Sequence, residues 1–158
     1  MFRISGFFDE ASIRLDRQLA LLKTLGMQYL CPRTVDGKNI TDYSLPLFNE
    51  TVRLRLAAAG AKLSSIGSGI GKIQLHDEKA CQAQLRKLTE LADIAETAGC
   101  RYIRMFSFYM PPGFDEEAVF PQAAEKLRGF LDAIRRRDII QRRVSIQLAG
   151  PRGHAACG

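Results

Sequence analysis

Three helix-to-strand junctions of the same form constrain the fold more than any other feature of the chain. In each, an amphipathic segment ends in glycine and an apolar segment follows within a few residues. They read Leu25-Gly26-Met27-Gln28-Tyr29-Leu30, Ala59-Gly60-Ala61-Lys62-Leu63 and Ala98-Gly99-Cys100-Arg101-Tyr102-Ile103. Glycine is favoured there because the residue after a helix often takes the left-handed conformation. The repeat predicts an α/β protein built from successive units.

The hydrophobic pattern predicts the elements on either side of these junctions. Strands are expected over 3–8, 27–31, 62–66 and 102–108, and helices over 11–25, 44–59, 77–98 and 115–134. A fifth strand is consistent with 144–150. Alternating strands and helices indicate parallel pairing through right-handed crossovers. An open sheet usually has a glycine-rich phosphate turn after its first strand, and 8–11 contains no glycine, so a TIM-type barrel is favoured.

The length predicts a partial barrel of about four to five units. Eight units typically take about 250 residues, and four fill residues 1–134 of the 158. We therefore expect 1–134 to be the N-terminal half of a barrel and 135–158 to be an atypical basic tail. The tail breaks the repeat, which favours a truncated or frame-disrupted product over a true half-barrel. A half-barrel leaves strand edges unpaired, so we also expect self-association.

Charge and cysteine content narrow the function classes. Six arginines and one aspartate after residue 134 account for five of the six net positive charges, which argues against a nucleic-acid surface on the fold. No signal peptide or membrane-length apolar run is evident, so a cytoplasmic protein without membrane partners is expected. The four cysteines form no C-x-x-C pair, and we expect free thiols.

Polar residues at the predicted strand ends are the candidate substrate contacts, because βα loops form the active face of a TIM barrel. They are Arg33, Lys38, Asn39, Ser65, Ser68, Lys72, Arg104 and Ser107. Each has a structural alternative: Arg33 to Asn39 form a solvated turn, Gly67 to Lys72 form a flexible loop rather than an anion loop, and Arg104 makes an ion pair. Arg33→Ala is expected to affect folding little, because its loop is predicted to be exposed.

Acids and histidines on the predicted active face give no metal site. Asp9 and Glu10 are adjacent, so they are interpreted as helix-start acids rather than an acid/base pair. His76 is interpreted as part of a helix cap. Together with Asp36, these donors come from different loops without ligand-like spacing, so no metal ligand is predicted in this chain.

Four separated blocks resemble the sugar phosphate isomerase/epimerase family, whose members have a xylose isomerase-like TIM barrel. The blocks lie at 2–11, 21–33, 36–40 and 101–108, and the resemblance runs from about residue 2 to 134. It implies a cytoplasmic carbohydrate-metabolism isomerase or epimerase that acts on a sugar or sugar phosphate. It also implies a divalent metal (Mn, Mg or Zn) in the complete family barrel, which stabilises the enediolate formed when a base removes a proton.

The fifth strand limits what the resemblance implies for this chain. Family members commonly have a His-Glu-Asn-Glu-like stretch there, whereas 145–150 contains no carboxylate. The resemblance therefore predicts a fragment of a metal-dependent isomerase or epimerase that is inactive alone. The alternative is a non-catalytic half-barrel that assembles with another half or binds sugar.

Overall fold

The computed structural model describes residues 4–110 and 113–135 and the backbone of 146–149. Short 3₁₀ helices cover Phe8–Glu10 and Ile40–Asp42. The helices are α1 Leu15–Thr24, α2 Leu45–Phe48, α3 Leu54–Ala58, α4 Glu78–Thr97 and α5 Glu116–Ile134. The strands are β1 Ser5–Gly6, β2 Tyr29–Leu30, β3 Thr34–Val35, β4 Lys38–Asn39, β5 Lys62–Leu63, β6 Met105–Tyr109 and β7 Ile146–Ala149.

The parallel strands follow one another in the order β1, β2, β5, β6, β7. β2 pairs with β1 and with β5, and β6 pairs with β7. A parallel bridge between Ile66 and Ile103 joins the two groups. The predicted parallel β/α repeat is therefore confirmed. Within the described residues the strands do not close into a barrel, and no strand pairs with the outer edge of β1.

The predicted helices form, with one irregularity. α2 and α3 are the two ends of one helical stretch, which passes through a π-helical segment at Asn49–Arg53. The three junction glycines have φ values of 63° to 64°, as the sequence predicted. α1 is shorter than expected, so Ile13 and Leu25 lie outside it and are 60% and 57% exposed.

A β-hairpin interrupts the loop after β2. β3 and β4 are antiparallel and are joined by Asp36 and Gly37, both with positive φ (50° and 79°). Two residues with positive φ form the type I′ turn that matches the twist of paired strands. The Asp-Gly pair was interpreted as turn chemistry, but the strands on either side of it were not predicted.

The glycine-rich loop after β5 is tied to β6 rather than free. Phe106 and Tyr109 N–H groups donate to the carbonyls of Ile70 and Ile73 at 2.8 and 2.7 Å. Gly71 has φ +88°, and a Cβ there would lie 1.8 Å from the Phe106 carbonyl oxygen. Glycine is needed at this position because the loop backbone packs directly on the strand.

The core lies between the parallel strands and the helices. Buried leucine, isoleucine and alanine residues of α4 pack into it, and the rings of Phe108 and Phe130 meet edge to face at 5.8 Å. Cys31, Cys81 and Cys100 are buried free thiols, as expected, while Cys157 lies outside the described residues. None of the described helices is long and apolar enough to cross a membrane.

Candidate functional site

Three cations and two aromatic rings meet where the segments after β1, β2 and β5 approach β6. The guanidinium carbon of Arg33 lies 4.5 Å from the ring centroid of Phe7, and that of Arg104 lies 5.2 Å from the same centroid. Arg104 also lies 5.1 Å, and Lys72 Nζ 4.5 Å, from the ring centroid of Phe106. We call these five residues the cation–aromatic cluster. Three of them, Arg33, Lys72 and Arg104, were predicted as substrate contacts.

Arg33 is neutralised by the acids that follow β1. Its Nε donates to both carboxylate oxygens of Asp9 at 3.0 and 3.1 Å, and its Nη2 donates to Glu10 Oε1 at 2.9 Å. Burial opposes its charge, but the hydrogen bonds and charges of the two acids outweigh that effect and raise the pKa of Arg33. Asp9 and Glu10 thus lie in a 3₁₀ turn before α1 and bind one arginine instead of starting the helix.

A glycine makes room for this arginine. A Cβ at Gly67 would lie 2.6 Å from Arg33 Cγ and 3.3 Å from the Phe7 ring. Real Cβ contacts are not that short, so the side chain and ring fit only against a bare backbone. The loop glycines therefore serve packing at both ends: Gly67 against Arg33, and Gly71 against β6.

Arg104 differs from Arg33 in having no acidic partner among the described residues. Its Nε is buried and forms no hydrogen bond within the part of the chain that the structure describes. Its backbone is held firmly: its N–H donates to Ile66 at 2.9 Å, and Ser68 Oγ donates to its carbonyl oxygen. Among the described residues, Arg104 is therefore a guanidinium without an acidic partner that contacts two rings.

Ser65 joins the cluster through Cys31. Ser65 Oγ donates to Cys31 Sγ at 3.0 Å. Burial raises the pKa of the Cys31 thiol, and the hydrogen bond from Ser65 and the charges of Arg104 and Arg33 only partly offset it. The thiol is held in its neutral form, which is a poor nucleophile.

The other predicted contacts have local roles or lie apart. Lys38 Nζ lies 5.2 Å from the ring centroid of Tyr43, and Asn39 Oδ1 accepts from Thr41 N at 3.0 Å. Ser68 is fully buried, and its hydroxyl holds the loop to the Arg104 segment. Ser107 is buried, and its Oγ has no hydrogen-bond partner within the described residues.

Asp36 and His76 are also placed away from the cluster. Asp36 Oδ1 accepts from Leu15 N at 2.8 Å, and its Oδ2 lies 2.5 Å from Arg55. The hydrogen bond from Arg55 lowers the pKa of Asp36 against the effect of burial. Asp77 caps α4 through Ala80 N at 2.8 Å, and the exposed His76 precedes it, as the cap interpretation expects.

Sequence reasoning missed Phe7, Phe106 and the pairing of Asp9 with Arg33. A usable signal was present for the ion pair: Asp9 and Arg33 each follow one of two consecutive strands, which are neighbours in a parallel sheet. The two rings read as ordinary core residues in the sequence. Their contact with cations depends on how the strands and the loop after β5 come together.

The described residues do not fit a divalent metal. No group of three or more His, Cys, Asp or Glu side chains comes together within the described ranges. The acids beside the cation–aromatic cluster, Asp9 and Glu10, both form ion pairs with Arg33. A metal site built on these two carboxylates would have to displace Arg33.

Solved structures share this arrangement of strands and helices. A xylose isomerase-like TIM-barrel protein from Mycobacterium smegmatis, solved with magnesium, superposes with a TM-score of 0.63 and 18% identity. This chain has part of a xylose isomerase-like TIM-barrel fold. A sugar phosphate isomerase/epimerase from Parabacteroides distasonis (TM-score 0.59) and 3-keto-D-glucoside 4-epimerase from E. coli (0.57) are each 15% identical. No protein-family model and no curated protein sequence matches the chain.

The chain spans about half the length of these xylose isomerase-like barrels. The alignments cover 92%, 84% and 87% of this chain, but 54%, 49% and 51% of the three neighbours in the order M. smegmatis, E. coli, P. distasonis. TIM-barrel enzymes have their active sites at the carboxyl ends of the strands. Phe7 follows β1 directly and Arg33 is the third residue after β2, so the cation–aromatic cluster begins at that face of the fold.

Proposed function

We propose that the chain is part of a metal-dependent sugar or sugar-phosphate isomerase or epimerase, in which its described residues contact the substrate. The observation that supports this is the cation–aromatic cluster at the carboxyl ends of β1 and β2, in a fold shared with a sugar epimerase. The substrate contacts are Arg33, Ser65, Lys72 and Arg104. The chain alone is inactive in this proposal, because the metal ligands come from outside this chain.

The chemistry assigned to the site follows from its residues. A sugar presents hydroxyl and carbonyl oxygens, which accept hydrogen bonds from guanidinium and ammonium groups. The faces of Phe7 and Phe106 pack against the cations and hold them in fixed orientations. A divalent metal in such an enzyme stabilises the negative charge that develops when a base removes a proton beside the carbonyl. The cluster binds and orients the substrate for that step.

Substitution in a full-length homologous barrel with the same arginine tests this role. Arg104→Ala should lower kcat/KM by about tenfold or more, close to 1.4 kcal/mol of transition-state stabilisation. Arg101→Ala is the matched control, because Arg101 is exposed on the same segment. Unchanged kinetics in Arg104→Ala would contradict the proposal.

The second candidate is a non-catalytic half-barrel that binds sugar or completes a barrel with another half. The unpaired edge of β1 within the described residues favours it. The isolated chain should then bind a neutral sugar saturably, with no isomer or epimer formed when Mn²⁺ or Mg²⁺ is present. Calorimetric titration with Mn²⁺ or Zn²⁺ should show no site tighter than roughly micromolar, on the order of 8 kcal/mol. A stoichiometric, tighter metal site would mean that ligands lie outside the described residues.

A further inference from the structure

We propose that Arg104, assisted by Lys72, binds a small oxyanion group of the ligand, a phosphate or a carboxylate, whereas Arg33, which is held by Asp9 and Glu10, contacts only the sugar part of the ligand. This deepens the proposed function and rests on it for the sugar part of the ligand. The oxyanion site itself rests on local contacts. Three cations that were all predicted as substrate contacts thereby have different roles.

Arg33 differs from the other two cations in having acidic partners that compensate its charge. Arg33 has two carboxylate partners, and Asp9, the more buried of them, has a side chain only 7% exposed. Neither Arg104 nor Lys72 forms an ion pair with any residue in the described parts of the chain. The three cations and two acids therefore sum to one net positive charge, and the two cations without an acidic partner in the described ranges both lie over the ring of Phe106.

Burying part of the Arg104 guanidinium costs free energy. A half-buried guanidinium with a buried, unbonded Nε is unfavourable unless something compensates for it. The two rings supply part of this through cation–π attraction. Contact with both rings restricts the positions that the guanidinium can take before a ligand arrives. Oriented guanidinium groups bind phosphate and carboxylate through paired hydrogen bonds.

Hydrogen bonds join the two segments that carry Lys72 and Arg104. Ser68 binds the carbonyl oxygen of Arg104, and Ile70 accepts from Phe106 N at 2.8 Å. These contacts fasten the loop that carries Lys72 to the segment that carries Arg104. The segments that carry Lys72 and Arg104 are thus hydrogen-bonded to each other, while the Lys72 side chain itself is exposed.

The experiment uses the full chain and inorganic phosphate as the probe, followed by NMR chemical-shift titration at low ionic strength. Saturable binding is expected, and Arg104→Gln should weaken it by about tenfold, whereas Lys72→Gln should weaken it less. Arg101→Gln is the control, since it removes the same charge from an exposed position on the same segment. Acetate run in parallel distinguishes a carboxylate from a phosphate ligand, and Arg104-dependent binding of either anion supports the proposal.

Two further variants test the roles of Phe7 and Arg33. Phe7→Leu removes one ring at a residue that is 38% exposed, so it should fold and should weaken phosphate binding severalfold. Arg33→Gln should change phosphate affinity less than Arg104→Gln does. The proposal is overturned if neither phosphate nor acetate binds saturably, or if Arg104→Gln and Arg101→Gln weaken the binding equally. Arg104-dependent phosphate binding without any sugar binding would leave this inference standing and remove the proposed function.

Discussion

At the scale of single residues, Arg33 and Arg104 show how the same side chain takes on different roles. Arg33 Nε lies 3.0 Å from Asp9 Oδ2, and burial of that carboxylate makes the pair structural as well as electrostatic. Arg104 contacts rings and has no carboxylate partner among the described residues. A charge without a partner costs stability and is free to bind a ligand, whereas a paired charge supports the fold.

Arg33→Ala should destabilise the fold, contrary to the sequence-based expectation that this substitution in an exposed loop affects folding little. The variant leaves the nearly buried Asp9 without its partner, which costs about 2 kcal/mol in the free energy of unfolding. Urea unfolding followed by circular dichroism would measure it, with Lys62→Ala as the control at an exposed lysine. Asp9→Ala in the Arg33→Ala background should cost much less than it does in the wild type. Equal costs in both backgrounds would show that the pair is not coupled.

Gly71→Ala should be among the most damaging small substitutions in the chain. A methyl group there would overlap the Phe106 carbonyl oxygen, and a φ of +88° is strained for alanine. Together these effects should cost about 3 kcal/mol or more. Gly69→Ala is the matched control two residues away, where a Cβ would meet nothing within 4 Å. A melting temperature that falls equally in both variants would contradict the packing of the loop on β6.

Three of the four cations predicted as substrate contacts lie at the candidate site, but the sequence did not predict whether each is neutralised by an acid. Arg33, Lys72 and Arg104 were predicted from their positions after or within strands, and the structure brings all three to two rings. Whether a cation is neutralised depends on contacts between different strand ends. Such contacts are set by tertiary packing, which a single sequence does not encode in any local pattern.

At the scale of elements, the turn of the hairpin β3–β4 is hydrogen-bonded to the start of helix α1. Its turn residue Asp36 caps Leu15 N at the helix start and binds Arg55 of α3. Arg55 also binds Asp16 of α1 at 2.7 Å. One carboxylate thus connects the hairpin, the first helix and the third, at a position where the helix dipole favours a negative charge.

Asp36→Asn should test the electrostatic part of this connection, the ion pair between Asp36 and Arg55. Asparagine tolerates positive φ and keeps the capping oxygen, but loses the ion pair with Arg55. The folded-state pKa of Asp36 is lowered from 3.8, so its contribution is present above about pH 4 and is lost as the pH falls through the lower folded value. The side chain is 37% exposed, so the effect at pH 7 should be only about 1 kcal/mol or less.

Urea midpoints at pH 7 and near pH 2 would measure the effect. The wild type should exceed Asp36→Asn at pH 7, and the difference should shrink on acidification. A difference that stays constant with pH would assign the role of Asp36 to hydrogen bonding alone. Lys38→Ala, on the adjacent strand of the hairpin, controls for general disturbance of the turn.

Elements with a strong local signal were predictable, and those formed by long-range pairing were not. The glycine junctions and apolar periodicity predicted α4 and α5 almost to the residue, since caps and hydrophobic faces are local properties. β1 was expected over 3–8, but a 3₁₀ turn takes Phe8–Glu10. The loop after β5 was read as flexible because its hydrogen bonds to β6 join residues more than 30 positions apart.

At the scale of the whole molecule, the parallel strands are arranged as part of a barrel. β1 pairs with β2 on one side and, within the described residues, with nothing on the other. Ile4, which precedes β1, is 72% exposed. An unpaired strand edge next to an exposed apolar side chain is a template for pairing with another chain. The solved barrels of this fold are about twice as long, and their additional residues include further barrel strands.

We therefore predict that the chain self-associates through this edge at micromolar concentrations. Light scattering should give a mass above the 17.6 kDa of one chain. Ile4→Lys should shift the protein toward monomer, because a charge beside an edge strand opposes pairing. Leu25→Lys is the matched control: it adds the same charge at a 57% exposed leucine after α1 and should leave the mass unchanged. A sharp monomer peak for the wild type, with cooperative thermal unfolding, would show that the edge is already covered within one chain.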